Sequence, residues 1–302
     1  MLTLKIWIAI LLSSSMPFLA VLWLWKRREE SRLDWLLALS VAGALVLACF
    51  IATPWAMTSD YLRFLLPVFF LLAIYFSFRK LKAASSSEFS NRRLRTVLKL
   101  AMLLLLLPLD VVAISSYFYG VAPVELRFPL QRGVYYVIQG GNSRLTSPFH
   151  KGGSDIREAY ALDIVKLNWS GNRATGVYPG SLNSYAIYNE MVYSPCDGEV
   201  IEMVDWILDN AIGDEGHMPS NRIVIRCKGV RITLAHMERG SFLVQTGQMV
   251  REGQPLARVG NAGHTSEPHL HIDVVRDIVN TLEPVPVSFD GRILSLNSIV
   301  WK

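Results

Sequence analysis

The chain has 302 residues, room for two domains of ordinary size, and at 51% hydrophobic with a mean hydropathy of +0.30 it is too apolar for one water-soluble enzyme. Its net charge of +5 is unevenly divided: residues 1–123 hold thirteen Lys and Arg against six Asp and Glu, and residues 124–302 hold seventeen against nineteen. The basic excess thus belongs to short connections between apolar runs, which excludes nucleic acid as a partner.

Four apolar runs, near residues 4–25, 35–57, 61–78 and 97–119, reach the roughly 20 residues that a bilayer core of about 30 Å requires. The first is too long for a signal peptide, has no basic start and leads into further spans, so it reads as retained. The third is the shortest and holds Arg63 near its start. Lys26, Arg27, Arg28 and Arg32 follow the first span, and Arg79, Lys80, Lys82, Arg92, Arg93 and Arg95 follow the third. The connection TPWAMTSDY has no Lys or Arg. The positive-inside rule puts both basic connections in the cytoplasm, and therefore the amino terminus and everything after span four outside. Asp110 lies inside span four, where a charge is costly and is a functional candidate by default; the plainer reading is a neutral or hydrogen-bonded acid at a helix contact. The expected organisation is a multi-pass region over 1–120, a linker and lead-in strand over 121–147, and a folded domain over 148–302.

After residue 123 the pattern changes to short strands separated by turn residues. MVYSPCDGEVIEMV reads as strand, turn, strand about Asp197-Gly198, and NRIVIRC and VRITLAH read as a pair joined at Lys228-Gly229. Further glycines punctuate FLVQTGQMVREGQPLARVGNAG, and PHLHIDVV alternates as a strand does. No stretch beyond residue 125 has a helical period. The expected fold is an α-helical membrane domain of about four helices plus an all-β antiparallel domain, a sandwich or partly closed barrel.

All six histidines lie in this second half: His150, His217, His236, His264, His269 and His271. Residues two apart on a strand share a face, so His269 and His271 point the same way, and one can bind a metal while the other stands beside the metal's water. A catalytic zinc needs about three protein ligands and an open position.

The surroundings of that pair resemble the lysostaphin/LytM-type zinc endopeptidases, which cut peptide bonds of bacterial peptidoglycan. The resemblance covers roughly residues 148–276 and rests on YALDIV, on VYSPCDGEV, and on LAHMERGSFLVQTGQMVREGQPLARVGNAGHTSEPHLHIDV, in that order. It implies that Asp163 and His271 are zinc ligands and that His236 and His269 are the non-ligating histidines of the active site. Of these, His269 is favoured as general base and His236 as stabiliser of the developing oxyanion. The chain departs from the family's commonest pattern four residues before the Asp, where Ala159 stands in place of a His. A related subgroup uses a longer His-to-Asp spacing, and His150, thirteen residues before Asp163, suits it as third ligand. His217, in the acidic loop LDNAIGDEGHMPSN, is the rival, although that loop, with Asp205, Asp209, Asp214 and Glu215, reads better as a wall of the substrate groove. His264 and Thr265 read as rim residues, with Asn261 and Ser266 ordering their loop.

Cys49 lies inside span two and reads as an apolar filler. Cys196 and Cys227 are the pair of the outer domain; an oxidising exterior permits a disulfide between them, two buried thiols being the other reading. Taken together, the expected protein is a membrane-anchored zinc endopeptidase of the bacterial cytoplasmic (inner) membrane, its peptidase domain on the periplasmic or extracytoplasmic side. Its partners would be the lipid bilayer and peptidoglycan or another peptide substrate. The alternative is a catalytically inactive LytM-like module that binds or regulates cell-wall enzymes. A lipoyl- or biotin-type carrier is rejected because no Lys occupies the turn after VREGQPL.

Overall fold

The apolar runs fold as helices and the remainder folds as β structure. The computed structural model describes all residues except 1, 30, 82–88, 153–154, 215, 217–218 and 279–280, and at 2–7, 9–11, 89–92 and 152 it describes the backbone alone. His217, the rival ligand, and Glu215 lie outside the described residues. Two units result, Met1–Ser115 and Ser116–Lys302.

The first unit comprises α1 (Leu2–Lys26), α2 (Arg32–Ala52), α3 (Asp60–Arg79) and α4 (Phe89–Ser115). Among the described residues, Arg32–Ala52, Asp60–Arg79 and Arg93–Ser115 are long and apolar enough to cross a membrane. The second span ends at Ala52, earlier than hydropathy implied. Thr53 caps it in an extended conformation, as a residue before a proline prefers, and the apolar Trp55–Met57 forms a separate 3-10 turn. Span four likewise stops at Ser115, before 119. Large apolar side chains such as Leu71, Leu104, Leu105 and Val111 face outward, while Leu24, Ala38, Ala42, Leu66 and Ala73 fill the helix contacts. Arg63 lies with its guanidinium 4.5 Å from the Phe50 ring centroid, at the end of α3 where a long cation can reach the interface. The Lys80 ammonium donates to the Trp25 carbonyl and Lys99 pairs with Glu29, so the two basic connections lie at one end of the unit. Asp110 is buried and its Oδ1 meets no hydrogen-bond donor among the described residues.

In the second unit the strands are β1 (Val124–Leu126), β2 (Val134–Gln139), β3 (Leu162–Leu167), β4 (Met191–Tyr193), β5 (Gly198–Val204), β6 (Arg222–Cys227) and β7 (Val230–Ala235). There follow β8 (Met249–Val250), β9 (Pro255–Arg258), β10 (Leu270–Ile278), β11 (Thr281–Pro284), β12 (Val287–Phe289), β13 (Arg292–Ile293) and β14 (Ile299–Trp301). The main sheet runs β14-β2-β3-β10-β7-β6-β5-β8 with β11 paired on β10, antiparallel throughout. Smaller ladders, β1-β12-β13 and β4-β9, accompany it; of their pairs only β1-β12 is parallel. Lys228 and Gly229 both adopt positive φ, 50° and 74°, which suits the tight turn joining β6 to β7.

One face of the sheet is built from Leu162, Ile164, Ile223, Ile225, Ile232, Leu234, Leu270 and Ile272, all buried in one core. Full burial of such a side chain contributes about 1.5–3 kcal/mol. Cys196, ahead of β5, is joined by a disulfide to Cys227 at the end of β6. Gly198 lies where the strands close up: a Cβ there would come 2.5 Å from the Arg226 carbonyl oxygen. The strands flanking SPCD do not pair with one another, since β4 pairs with β9 and β5 lies between β6 and β8. A helical turn absent from the sequence reading, α5 (Pro148–Gly152), precedes β3; five residues are too few to show a period.

Candidate metal centre

Alternation on β10 turns Leu270 and Ile272 into the core and leaves His271 and Asp273 on the opposite face, with His269 just ahead of the strand on that side. Antiparallel register then sets the neighbours. His271 lies opposite Asp163 of β3 on one side and Ala235 of β7 on the other, and directly opposed residues share a face. Asp163 and His271, 108 positions apart, therefore meet, with His271 Nδ1 and Asp163 Oδ1 separated by 3.0 Å. His150, on α5, comes to the same oxygen at 3.4 Å through Nε2, and His269 Nε2 stands 3.5 Å from it. Donor atoms of His150, Asp163 and His271 all lie within 4.8 Å of one another and all three residues are buried.

The rings are oriented from behind. Ser147 Oγ lies 3.0 Å from His150 Nδ1, which turns Nε2 toward Asp163. His269 Nδ1 lies 2.9 Å from the Glu267 carbonyl, and His236 Nδ1 lies 3.0 Å from the Ala262 carbonyl. A carbonyl only accepts, so both Nδ1 atoms carry the proton and a neutral ring presents a bare Nε2. His236 holds its place at the end of β7 with φ 67°, a left-handed conformation unusual for a residue with a side chain. The His236 and His269 ring centroids are 4.6 Å apart.

Burial alone would raise the Asp163 carboxyl, but the imidazoles of His150 and His269, with hydrogen bonds from His150 and His271, outweigh it and hold the group well below the usual carboxylate range. His236 is held well below the ordinary imidazole value by burial and then by its neighbours His269 and His271, so it is neutral. Burial also opposes charge on His271, yet the hydrogen bonds to Asp163 and Asp273 prevail and raise it well above its ordinary value. Whatever favours a proton between Nδ1 and Oδ1 also favours a metal cation at that point. Two imidazoles and a carboxylate, buried and convergent, could hold a metal ion, and three protein ligands leave a position open as catalytic zinc requires.

Several supporting residues were not in the sequence reading. Asp273 Oδ2 stands 3.5 Å from His271 Nε2 and its Oδ1 accepts from Thr233 at 3.2 Å, so it supports the ring from its far side. Continuing the alternation from His271 would have found it. Arg173, fully buried, grips Glu267 through two hydrogen bonds of 2.7 Å, bracing the residue whose carbonyl orients His269; no local signal links positions 94 apart. Thr265 is not a rim residue: it is buried, with Oγ1 2.9 Å from the Glu267 carbonyl and 3.0 Å from Asn261 Oδ1. His264 is exposed. Asn261 does order the loop, donating to the Asn210 carbonyl, and its own N–H reaches Asp209. Asp209 also accepts from the Tyr188 hydroxyl, and Asp205 accepts from the Gly240 N–H, so both acids brace neighbouring loops.

Residues 182–284 match the model of peptidase family M23; the match takes in His236, His269 and His271 and begins after His150 and Asp163. No curated protein sequence matches the chain. Among solved structures it is similar to a zinc-containing peptidase from Vibrio cholerae, at 21% identity over 41% of this chain and 48% of that one, with a TM-score of 0.25. It is similar also to lysostaphin from Staphylococcus simulans, at 19% identity over 36% and 45% with a TM-score of 0.24. The deep-sea M23 metalloprotease pseudoalterin is matched at 16% identity over 60% of this chain and 100% of that one, with a TM-score of 0.34. The chain spans about half the length of the first two. The likeness to peptidase family M23 thus lies in residues 182–284 of the carboxy-terminal unit, a third of the chain.

Proposed function

We propose that the protein is a zinc endopeptidase held in the bacterial cytoplasmic membrane by its amino-terminal helices, its peptidase domain outside, where it cuts cross-links or stem peptides of peptidoglycan. The observation that carries this reading is the convergence of His150, Asp163 and His271 with the two further rings, His236 and His269, beside them. His150, Asp163 and His271 would hold the ion. When bound, zinc supplies an acidified water and a positive charge that polarises the scissile carbonyl. The bare Nε2 of His269 takes a proton from the attacking water and returns it to the departing amine. His236, kept neutral by burial, takes a proton from solvent as negative charge develops beside it and then donates from Nε2 to the oxyanion. The orientation rests on the basic connections gathered at one end of the helical unit.

The test uses the full chain in detergent: metal analysis and digestion of purified peptidoglycan, for wild type, His271→Ala and His150→Ala. Wild type is expected to hold zinc and release soluble fragments, and both variants to lose both properties. A wild type without zinc and without product makes the domain an inactive binding module. Retention of metal and activity by His150→Ala alone removes His150 from the ligand set.

A further inference from the structure

Beside the metal cluster lies a cavity of about 450 Å³, walled by His150, Lys151, Asp155, Ile156, Ala159 and Tyr160. We propose that this cavity is a subsite for a carboxylate of the peptide substrate, adjacent to the scissile bond, with Lys151 as its cation; the proposal rests on the peptidase reading above.

The charge of the wall favours an anion. The Lys151 ammonium lies 4.3 Å from the Tyr160 ring centroid, and among the described residues no carboxylate pairs with it. The one acid on the wall, Asp155, is already engaged by Arg157, whose Nε lies 2.8 and 2.9 Å from its two oxygens. Among the described residues, the wall therefore presents one positive charge without a carboxylate partner. A cation steadied on an aromatic face, beside apolar surface from Ile156 and Ala159, suits an anion carried on a peptide better than a free, fully hydrated ion.

The cavity also has room for one. Ala159 stands four residues before Asp163 and lines the cavity. A longer side chain there would project into the volume that is now open. His150 both lines the cavity and points Nε2 at Asp163, 3.4 Å away, so an anion on Lys151 is held one residue along the chain from the cluster. A peptide bound with its carbonyl at the cluster has a neighbouring carboxylate within reach.

The experiment uses the full chain in detergent, loaded with zinc, and two probes: a peptidoglycan stem peptide with free carboxylates and the same peptide with them amidated. Calorimetric affinity and kcat/KM are read for both. Wild type is expected to bind the free form about tenfold more tightly, the scale of one charge-assisted contact. Lys151→Met and Ala159→Leu should each collapse that ratio toward one, and Lys151→Arg should keep it, with zinc content and thermal unfolding checking that each variant is folded. Ala159→Leu leaves the cation in place and so tests the cavity apart from the charge. Equal affinity of wild type for both peptides overturns the proposal, as does a ratio that survives in Lys151→Met. Displacement of the free peptide by an equal concentration of inorganic phosphate also overturns it, because the site would then be a general anion site. Preference for the free form without any cleavage leaves the subsite standing and removes the peptidase reading; cleavage of both forms with equal affinity does the reverse.

Discussion

Each unit of the molecule buries charge, and the two do so differently. In the helical unit Lys99 Nζ lies 2.9 Å from Glu29 Oε1 and 3.0 Å from the Asp34 carbonyl. Asp34 in turn accepts from Ser31 at 2.6 Å and from Thr96 at 3.3 Å. Cation and anion are matched there and their remaining needs are met close by. In the β unit a single carboxylate oxygen, Asp163 Oδ1, is approached by His150, His269 and His271 at 3.4, 3.5 and 3.0 Å. A matched pair is a brace. A convergence of imidazole nitrogens on one carboxylate is a candidate cation site, because the nitrogens of His150 and His271 that hydrogen-bond the carboxylate when protonated can coordinate a cation once the proton is gone.

Replacing the shared carboxylate should have the largest effect: Asp163→Asn is expected to abolish both zinc content and peptidoglycan digestion, read by metal analysis and fragment release. The brace should fail in stability instead. Lys99→Met takes away the nearer of the two cations at buried Glu29, leaving only Arg27 at 3.9 Å, at a cost of about 3 kcal/mol in denaturant unfolding of the chain in detergent, and adding Glu29→Gln should recover most of it. If the double variant is no better than the single, the pair is not matched in the sense drawn above. A smaller change is expected from Asp273→Asn, which loosens the far side of His271 and should weaken zinc binding by about 10–100-fold in chelator competition. Least of all, Thr265→Val removes a hydroxyl from the bracket behind His269; unfolding should lose about 1 kcal/mol, with kcat falling and KM held.

Much of this was legible from residue order alone. Hydropathy located the helices because a bilayer demands a run of fixed length. It overshot at Ala52 and Ser115, where the chain leaves the helix while still apolar. Alternation placed His269 and His271 on one face, and Lys228-Gly229 marked a hairpin, because both depend on neighbours along the chain. What only tertiary structure decided was which faces meet. The register of β3 on β10 joins Asp163 to His271, and a five-residue turn too short to carry a period delivers His150. The left-handed turn at His236, the grip of Arg173 on Glu267 and the burial of Thr265 also arise from packing. Spacing along a strand sets the side on which a residue stands; the partner it finds across the sheet is set by strand pairing, whose energy is shared by the whole core.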